Sequence, residues 1–319
     1  MLHTLDLFIK IKESNVLYFQ NKHEVYFDSL ILPKEKGIKV TKIFNNEVHG
    51  WCASLHIEVI KLLGKHVIEE SDLTDLKRHS NLFLQKHFGL NADFDNHVLQ
   101  RIDYRHDVII PNNTERQLII DLFNKVESKR NRQTKKTHFT DDDGVRRAFK
   151  TSCYHSSKSV SGLIYDKEAE RKNANVEIES YEENVLRIEV SVRKHHLYGR
   201  ERNHDIPRHL NFYFKKEMYR HYMQQYILNV FPTSDFYTLA QAEKAISASS
   251  LKTKEKKVLK SMLDNITNGS IDTVKRRKSP ATFKKYMHLF KTLDIHPIVI
   301  QKHKKVSSHI GNPLKSILS

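Results

Sequence analysis

The chain has 319 residues, 39% of them hydrophobic, enough to bury a sizeable core and too many for a disordered chain. Lysine and arginine number 54 against 38 aspartate and glutamate, a formal charge of +16 with an isoelectric point near 9.6. That excess points to a polyanionic partner, nucleic acid first, with a generically basic solvated surface as the alternative. Two cysteines, Cys52 and Cys153, stand in no metal-like spacing and exclude a disulfide framework. The N-terminus lacks a signal-peptide pattern and no apolar run reaches spanning length, so the expectation is a cytoplasmic protein with no membrane partner.

In chain order, residues 5–11 and 16–27 are rich in β-branched and aromatic side chains and are predicted as strands, followed by a third over 51–60. Residues 71–88 are predicted helical, with Ser71 as cap, Leu73, Leu76, Leu82 and Leu84 at helical spacing, and Gly89 as the stop. A strand over 99–110 closes on Pro111, and an amphipathic helix over 114–126 carries Leu118, Ile119, Leu122 and Val126 on one face. A basic loop over 129–136 and the acidic turn at 141–144 come next. Strands over 161–166 and 185–195 flank a charged segment with helical character. Helices are then predicted over 212–231, 239–247, 253–266 and 280–293, with a loose basic tail after His303. The order implies an α+β protein with a β-rich domain over 1–205 and a helical domain over 206–319.

Side chains two apart on a strand share a face. One face of the 99–110 strand carries Arg101, Asp103, Arg105 and Asp107. The 185–195 strand carries Arg187, Glu189, Ser191 and Arg193 opposite Leu186, Ile188, Val190 and Val192. His56 and Glu58 share a face opposite Leu55, Ile57 and Val59. Three strands thus each present an acid at mid-strand. As sheet neighbours the acids converge on a divalent metal, Mg²⁺ or Mn²⁺; otherwise they are solvent-facing acids paired with arginine. Tyr165 lies in a Ser- and Lys-rich context that includes Lys158 and Lys167, residue types suited to phosphate contacts. From spacing alone, Tyr165 reads equally as a structural tyrosine.

These segments, in this order, resemble a family of phage and plasmid replication initiators that includes the gene II nicking-closing protein of filamentous phages. The similar elements are Lys61-Leu-Leu-Gly-Lys-His66, Arg101-Ile-Asp103, Leu163-Ile-Tyr-Asp-Lys167 and Leu186-Arg-Ile-Glu-Val190, spanning roughly residues 50–200. The resemblance implies a central antiparallel sheet of the HUH/Rep endonuclease type with flanking helices. It implies Tyr165 as the nucleophile that forms a 5′-phosphotyrosyl link and frees a 3′-OH, starting rolling-circle replication. It also implies that Asp103 and Glu189 belong to the metal site. The wider group often carries two histidines flanking a hydrophobic residue; here the nearest pattern is His56-Ile-Glu58, a candidate ligand pair. Lys167 and Arg187 would offset charge on the phosphate. Tyr154, Tyr181 and Tyr198 stand open as second participants.

In the last third, Ser279 is placed to cap a helix with Pro280 at its first position. Phe283, Met287 and Phe290 are assigned to its core face. Lys284, Lys285, His288 and Lys291 face outward, next to the basic run Arg276, Arg277 and Lys278. Such a helix-turn-helix-like or winged-helix region suits duplex DNA, the alternative being a solvated basic helix. The expected partners are origin DNA, as duplex and single strand, with a host helicase and polymerase. Conjugative relaxase, non-enzymatic DNA-binding regulator and hydrolytic metal nuclease remain the alternative readings.

Overall fold

The computed structural model describes residues 1–23, 32–125, 133–134, 138–140, 146–148, 151–156, 159–269, 271–301 and 306–318. In chain order the elements are β1 (Leu2–Lys10), α1 (Glu13–His23), β2 (Lys34–Glu35), β3 (Ile38–Asn46), β4 (Gly50–Glu58), α2 (Val59–Leu63), α3 (Leu73–Phe88), β5 (His97–Ile109) and α4 (Asn113–Asn124). They continue with β6 (Gln133–Thr134), β7 (His138–Thr140), β8 (Arg146–Ala148), β9 (Ser152–Ser156), β10 (Val160–Asp166), α5 (Lys167–Asn173), β11 (Val185–Arg193) and α6 (Lys194–His204). The remainder is α7 (Leu210–Tyr213), α8 (Lys216–Met223), β12 (Phe236–Tyr237), α9 (Leu239–Ala248), α10 (Thr253–Thr267), α11 (Ile271–Arg276), α12 (Pro280–Thr292) and β13 (His309–Ile310). The protein is α+β, and among the described residues no helix is long and apolar enough to cross a membrane.

The chain forms two compact units. The first holds Met1–His106, Lys158–Ser161 and Glu189–Met223; the second holds Asp107–Ser157, Gly162–Ile188 and Gln224–Ser319. Residues 206–223 therefore fall in the first unit, and β5, β10 and β11 each give residues to both.

The first unit is built on a sheet in the order β2-β3-β4-β1-β5-β11. Antiparallel pairing sets Leu5 opposite Ile57 and Ile102, and Ile38 opposite Ile57, so one face is a continuous apolar row. Leu5, Leu7, Ile9, Val40, Ala53, Leu55 and Ile57 are all buried. Burial of this row fixes the register, because a slip of one residue would turn it to solvent. The reading of residues 16–27 as a strand is corrected: 13–23 form α1, and 24–31 lie outside the described residues. Val16 and Phe19, three apart, are buried on one face, and the Phe19 ring stacks on Phe88 of α3 at 4.8 Å. Asn15 also donates to the Phe88 carbonyl, which ends α3 at 2.8 Å from the amide nitrogen. Tertiary packing overrides β-propensity here. The cap of α3 is also corrected, from Ser71 to Asp72.

Gly37, in the turn between β2 and β3, has φ +85°, and a Cβ there would stand 2.7 Å from the Leu62 nitrogen and 2.8 Å from the Glu58 carbonyl oxygen. Its own carbonyl accepts from the Glu58 amide at 2.8 Å. Gly37→Ala is expected to lower unfolding stability by about 1–3 kcal/mol, since both the backbone conformation and the space are denied to a side chain. Urea unfolding checks this, and an unchanged midpoint would contradict it.

In the second unit the sheet order is β11-β10-β9-β6. Helix α4 is capped by Asn112 and buries Leu118, Ile119 and Leu122 as predicted, while Val126 lies outside the described residues. Phe123 packs edge-on against Phe231 and Phe236. The predicted helices over 239–247, 253–266 and 280–293 appear as α9, α10 and α12. The single helix predicted over 212–231 is instead α7, α8 and a π-helical turn over Gln224–Leu228. Ser279 caps α12 through its hydroxyl, which accepts from the Thr282 amide at 3.3 Å, with Pro280 at the first position. Tyr286 and Phe290 are the buried residues of α12, whereas Phe283 and Met287 are half-buried. The tail is not loose where described: β13 pairs with β12, and Ile310, Leu314 and Ile317 are buried. The basic loop over 129–136 and the acidic turn over 141–144 lie outside the described residues, apart from the backbone of Gln133–Thr134.

Candidate active site

The solvent face of the first unit's sheet is read directly from its register. Lys34 pairs with Lys39, Lys39 with His56, His56 with Asp6, and Asp6 with Arg101. The adjacent row sets Glu58 opposite Thr4 and Thr4 opposite Asp103. Directly opposed residues share a face, so a basic edge on β2 and β3 grades into a mixed histidine and carboxylate centre on β4, β1 and β5.

His56 Nδ1 lies 2.6 Å from Asp6 Oδ1, and His3 Nδ1 lies 3.2 Å from Glu189 Oε1. An ionised carboxylate only accepts, so each imidazole donates from Nδ1, and in the neutral tautomer the lone pair lies on Nε2. This is the pairing by which carboxylates orient metal-ligating histidines. Asp103 is buried and held by Arg101 through Nε at 2.8 Å and Nη2 at 2.7 Å. Burial pushes the Asp103 carboxyl above its ordinary range, and Arg101 and the Ser191 hydroxyl only partly oppose this. Burial also pushes Glu58 upward, but Lys61, whose Nζ is 2.5 Å away, outweighs it and leaves that carboxyl below its usual range.

Of the predicted metal residues, His56, Glu58, Asp103 and Glu189 thus all lie in the first unit, in pairs with other residues. His3 and Asp6 were not singled out from sequence. They are three apart and would face opposite sides of a regular strand. A register shift between Leu2 and Thr4 bulges the strand at His3. The readable signal was the acid at Asp6, in phase with Leu5 and Leu7 on the other face.

Among the described residues, one group brings three metal-type ligand atoms within 4.8 Å of one another: Asp95, His97 and His209. Its hydrogen bonding is that of a structural cluster. His97 Nδ1 donates to the Phe94 carbonyl at 2.7 Å and its Nε2 accepts from the Leu210 amide at 2.9 Å, so both ring nitrogens are committed to backbone. Asp95 is ion-paired with Lys77 at 2.7 Å, and the two imidazoles stack at 4.0 Å. Burial lowers the His97 pKa to about 4. The unfolded chain, at about 6.5, therefore takes up this proton first. The contribution to stability is complete above pH 6.5 and is lost as pH falls toward 4, on the order of 3 kcal/mol in all. His97→Asn is expected to flatten the fall in urea midpoint between pH 6.5 and 4, and an unchanged slope would contradict this.

The second unit holds the predicted nucleophile. Tyr165, in β10, is 7% exposed, with Lys167 Nζ 5.9 Å from its ring centroid. Lys167 is buried and paired with Glu170 at 2.7 Å and Glu182 at 3.6 Å. Arg187 is fully buried and donates through Nε and Nη2 to both oxygens of Asp107, at 2.8 and 3.0 Å. Its fork is therefore engaged by a carboxylate. Tyr154 and Tyr181 are half-buried, and Tyr198, in the first unit, is 51% exposed. Arg276, Arg277, Lys284 and Lys285 are exposed and Lys278 half-exposed, with Lys285 2.8 Å from Glu255. Lys158 lies outside the described residues. Neither a known family model nor any curated protein matches this chain.

Proposed function

We propose that this protein is a metal-dependent, site-specific DNA strand transferase that nicks one strand at a replication origin and starts rolling-circle replication of a plasmid or phage. The observation that carries the reading is the solvent face of the first unit's sheet, where His56–Asp6 and His3–Glu189 stand beside Asp103 and Glu58. Imidazole plus carboxylate oxygen is a donor set that fits Mg²⁺ or Mn²⁺. Asp103, Glu189, Glu58 and His56, with His3, are the candidates to hold the ion; among the described residues no three of them bring ligand atoms within 4.8 Å of one another, so binding would have to draw them together. Bound there, the ion would polarise a phosphate and neutralise charge developing on it.

The chain's own residues do the rest. Asp6 and Glu189 fix the histidine tautomers. Tyr165 Oη forms a bond to phosphorus as the P–O3′ bond breaks; the phenol proton passes to solvent water, and the departing 3′ oxygen takes a proton from water to become the priming hydroxyl. Lys167 sets a cation 5.9 Å from the centroid of the Tyr165 ring. Lys167 is engaged by Glu170 and Glu182, and Arg187 by Asp107, so both would have to exchange a carboxylate for the phosphate to offset its charge. The exposed cations on α11 and α12 grip duplex DNA.

Supercoiled replicon DNA is expected to become open circles with Mn²⁺ and to stay supercoiled with EDTA. Asp6→Asn, which weakens the orientation of His56, is expected to raise the Mn²⁺ needed for half-maximal nicking about 10–100-fold. An unchanged requirement would remove His56 from the metal site, and nicking in EDTA would remove the metal.

A further inference from the structure

Away from its carboxylates, the same sheet face changes character. Lys42 and Phe44 follow a bulge in β3 and pair with Ser54 and Cys52 of β4; Phe8 pairs with Ser54 and Lys10 with Cys52. These residues therefore share the solvent face that carries His56 and Asp6. The Phe8 and Phe44 rings meet edge to face at 6.1 Å, and His49 lies tilted against Phe8 at 5.5 Å. Lys42 Nζ stands 5.6 Å from the Phe44 ring centroid, and Lys10, Lys39 and Lys42 are all exposed. Burial, then Lys10 and Arg208, hold the His49 imidazole below its ordinary range, so a neutral ring joins the platform at pH 7.

Phe44 rests edge-on against the buried Phe8 and is itself only half-buried, so part of its ring is open to a partner. Lys42 stands beside that ring and Lys10 and Lys39 are exposed on the same face, which excludes a cationic partner and disfavours an apolar one. What satisfies both features is a polyanion with flat apolar units: the phosphates meet the lysines and a base stacks on the ring. Duplex DNA presents its phosphates but keeps its bases stacked inside.

We infer that Phe44 and His49, backed by the buried Phe8 and flanked by Lys10, Lys39 and Lys42, form a stacking platform for single-stranded nucleic acid. The inference needs neither the metal nor Tyr165.

The test is fluorescence anisotropy with a labelled twelve-residue oligothymidylate, in EDTA so that no nicking occurs, over a series of salt concentrations. Phe44→Ala is expected to weaken binding about tenfold, and Phe44→Trp to retain it, which controls for folding. Lys39→Ala with Lys42→Ala is expected to lower the slope of log affinity against log salt by about 1.4, two single-strand phosphates' worth. Phe44→Ala binding as tightly as wild type, an unchanged salt slope, or a duplex of equal length competing as well as the single strand would each overturn the platform. Tight oligothymidylate binding with these losses, from a protein that never nicks, would keep the platform and remove the nicking reading.

Discussion

Replacing Tyr165 by phenylalanine is expected to abolish nicking of origin DNA, a fall of at least about a thousandfold, while origin binding stays within about twofold. The change deletes one oxygen from a residue that is 7% exposed and leaves the ring packing of β10 in place. A lost hydroxyl costs on the order of 1 kcal/mol of stability, far less than needed to unfold the domain. Catalysis is affected differently, because no other group inherits a covalent role when the nucleophile is deleted. The cations assigned to duplex binding, Arg276, Arg277, Lys284 and Lys285, lie on α11, α12 and the turn between them and make no use of Tyr165. Gel-shift and nicking assays on one preparation separate the two effects. Retained nicking would move the nucleophile elsewhere, with Tyr154, Tyr181 and Tyr198 next to test.

The second large effect is on stability. Arg116 of α4 is 3% exposed and makes four hydrogen bonds through its guanidinium within the second unit. It donates from Nε to Asp166 at 2.9 Å, from Nη1 to the Ile110 carbonyl at 2.7 Å and Asn184 at 3.0 Å, and from Nη2 to Glu168 at 3.0 Å. Asp166, the residue after Tyr165, is itself buried and caps α5 by accepting from the Ala169 amide at 3.0 Å. Arg116→Met keeps most of the side-chain volume and removes the charge. It leaves Asp166 as a buried carboxylate without its cation, which costs about 3–5 kcal/mol. Arg116→Lys restores a charge but not the planar fork and is expected to recover only part of the loss. Urea unfolding measures both. A loss below about 1 kcal/mol for Arg116→Met would show that water or another cation reaches Asp166.

Much of the sheet was legible in the sequence because one of its faces is buried and the other is not. Leu55, Ile57 and Val59 alternate with His56 and Glu58, and the structure buries the first set and leaves the second half-exposed. Helix α12 was legible through local chemistry, Ser279 and Pro280, which acts over one turn. The failures have long-range causes. Residues 13–23 carry strand-forming side chains, yet burial of Val16 and Phe19 against α3 selects a helix. Strand β3 was missed because its solvent face, Lys39, Lys42 and Phe44, breaks the expected alternation at a bulge. The same kind of irregularity hid His3, which joins the carboxylate face through a shift in strand register. Arg187 was placed with Glu189 on the polar face of its strand because its neighbours alternate; its carboxylate partner, Asp107, lies 80 positions away in the sequence.

The most direct test of the account is a denaturing gel of wild-type protein incubated with end-labelled single-stranded oligonucleotides covering the replicon, with Mn²⁺ or with EDTA. The account predicts a labelled protein–DNA band that survives denaturation, forms only with Mn²⁺, and maps by peptide analysis to Tyr165. Cleavage without that band would contradict the covalent step and point to a hydrolytic nuclease; no cleavage, with tight duplex binding, would point to a DNA-binding regulator.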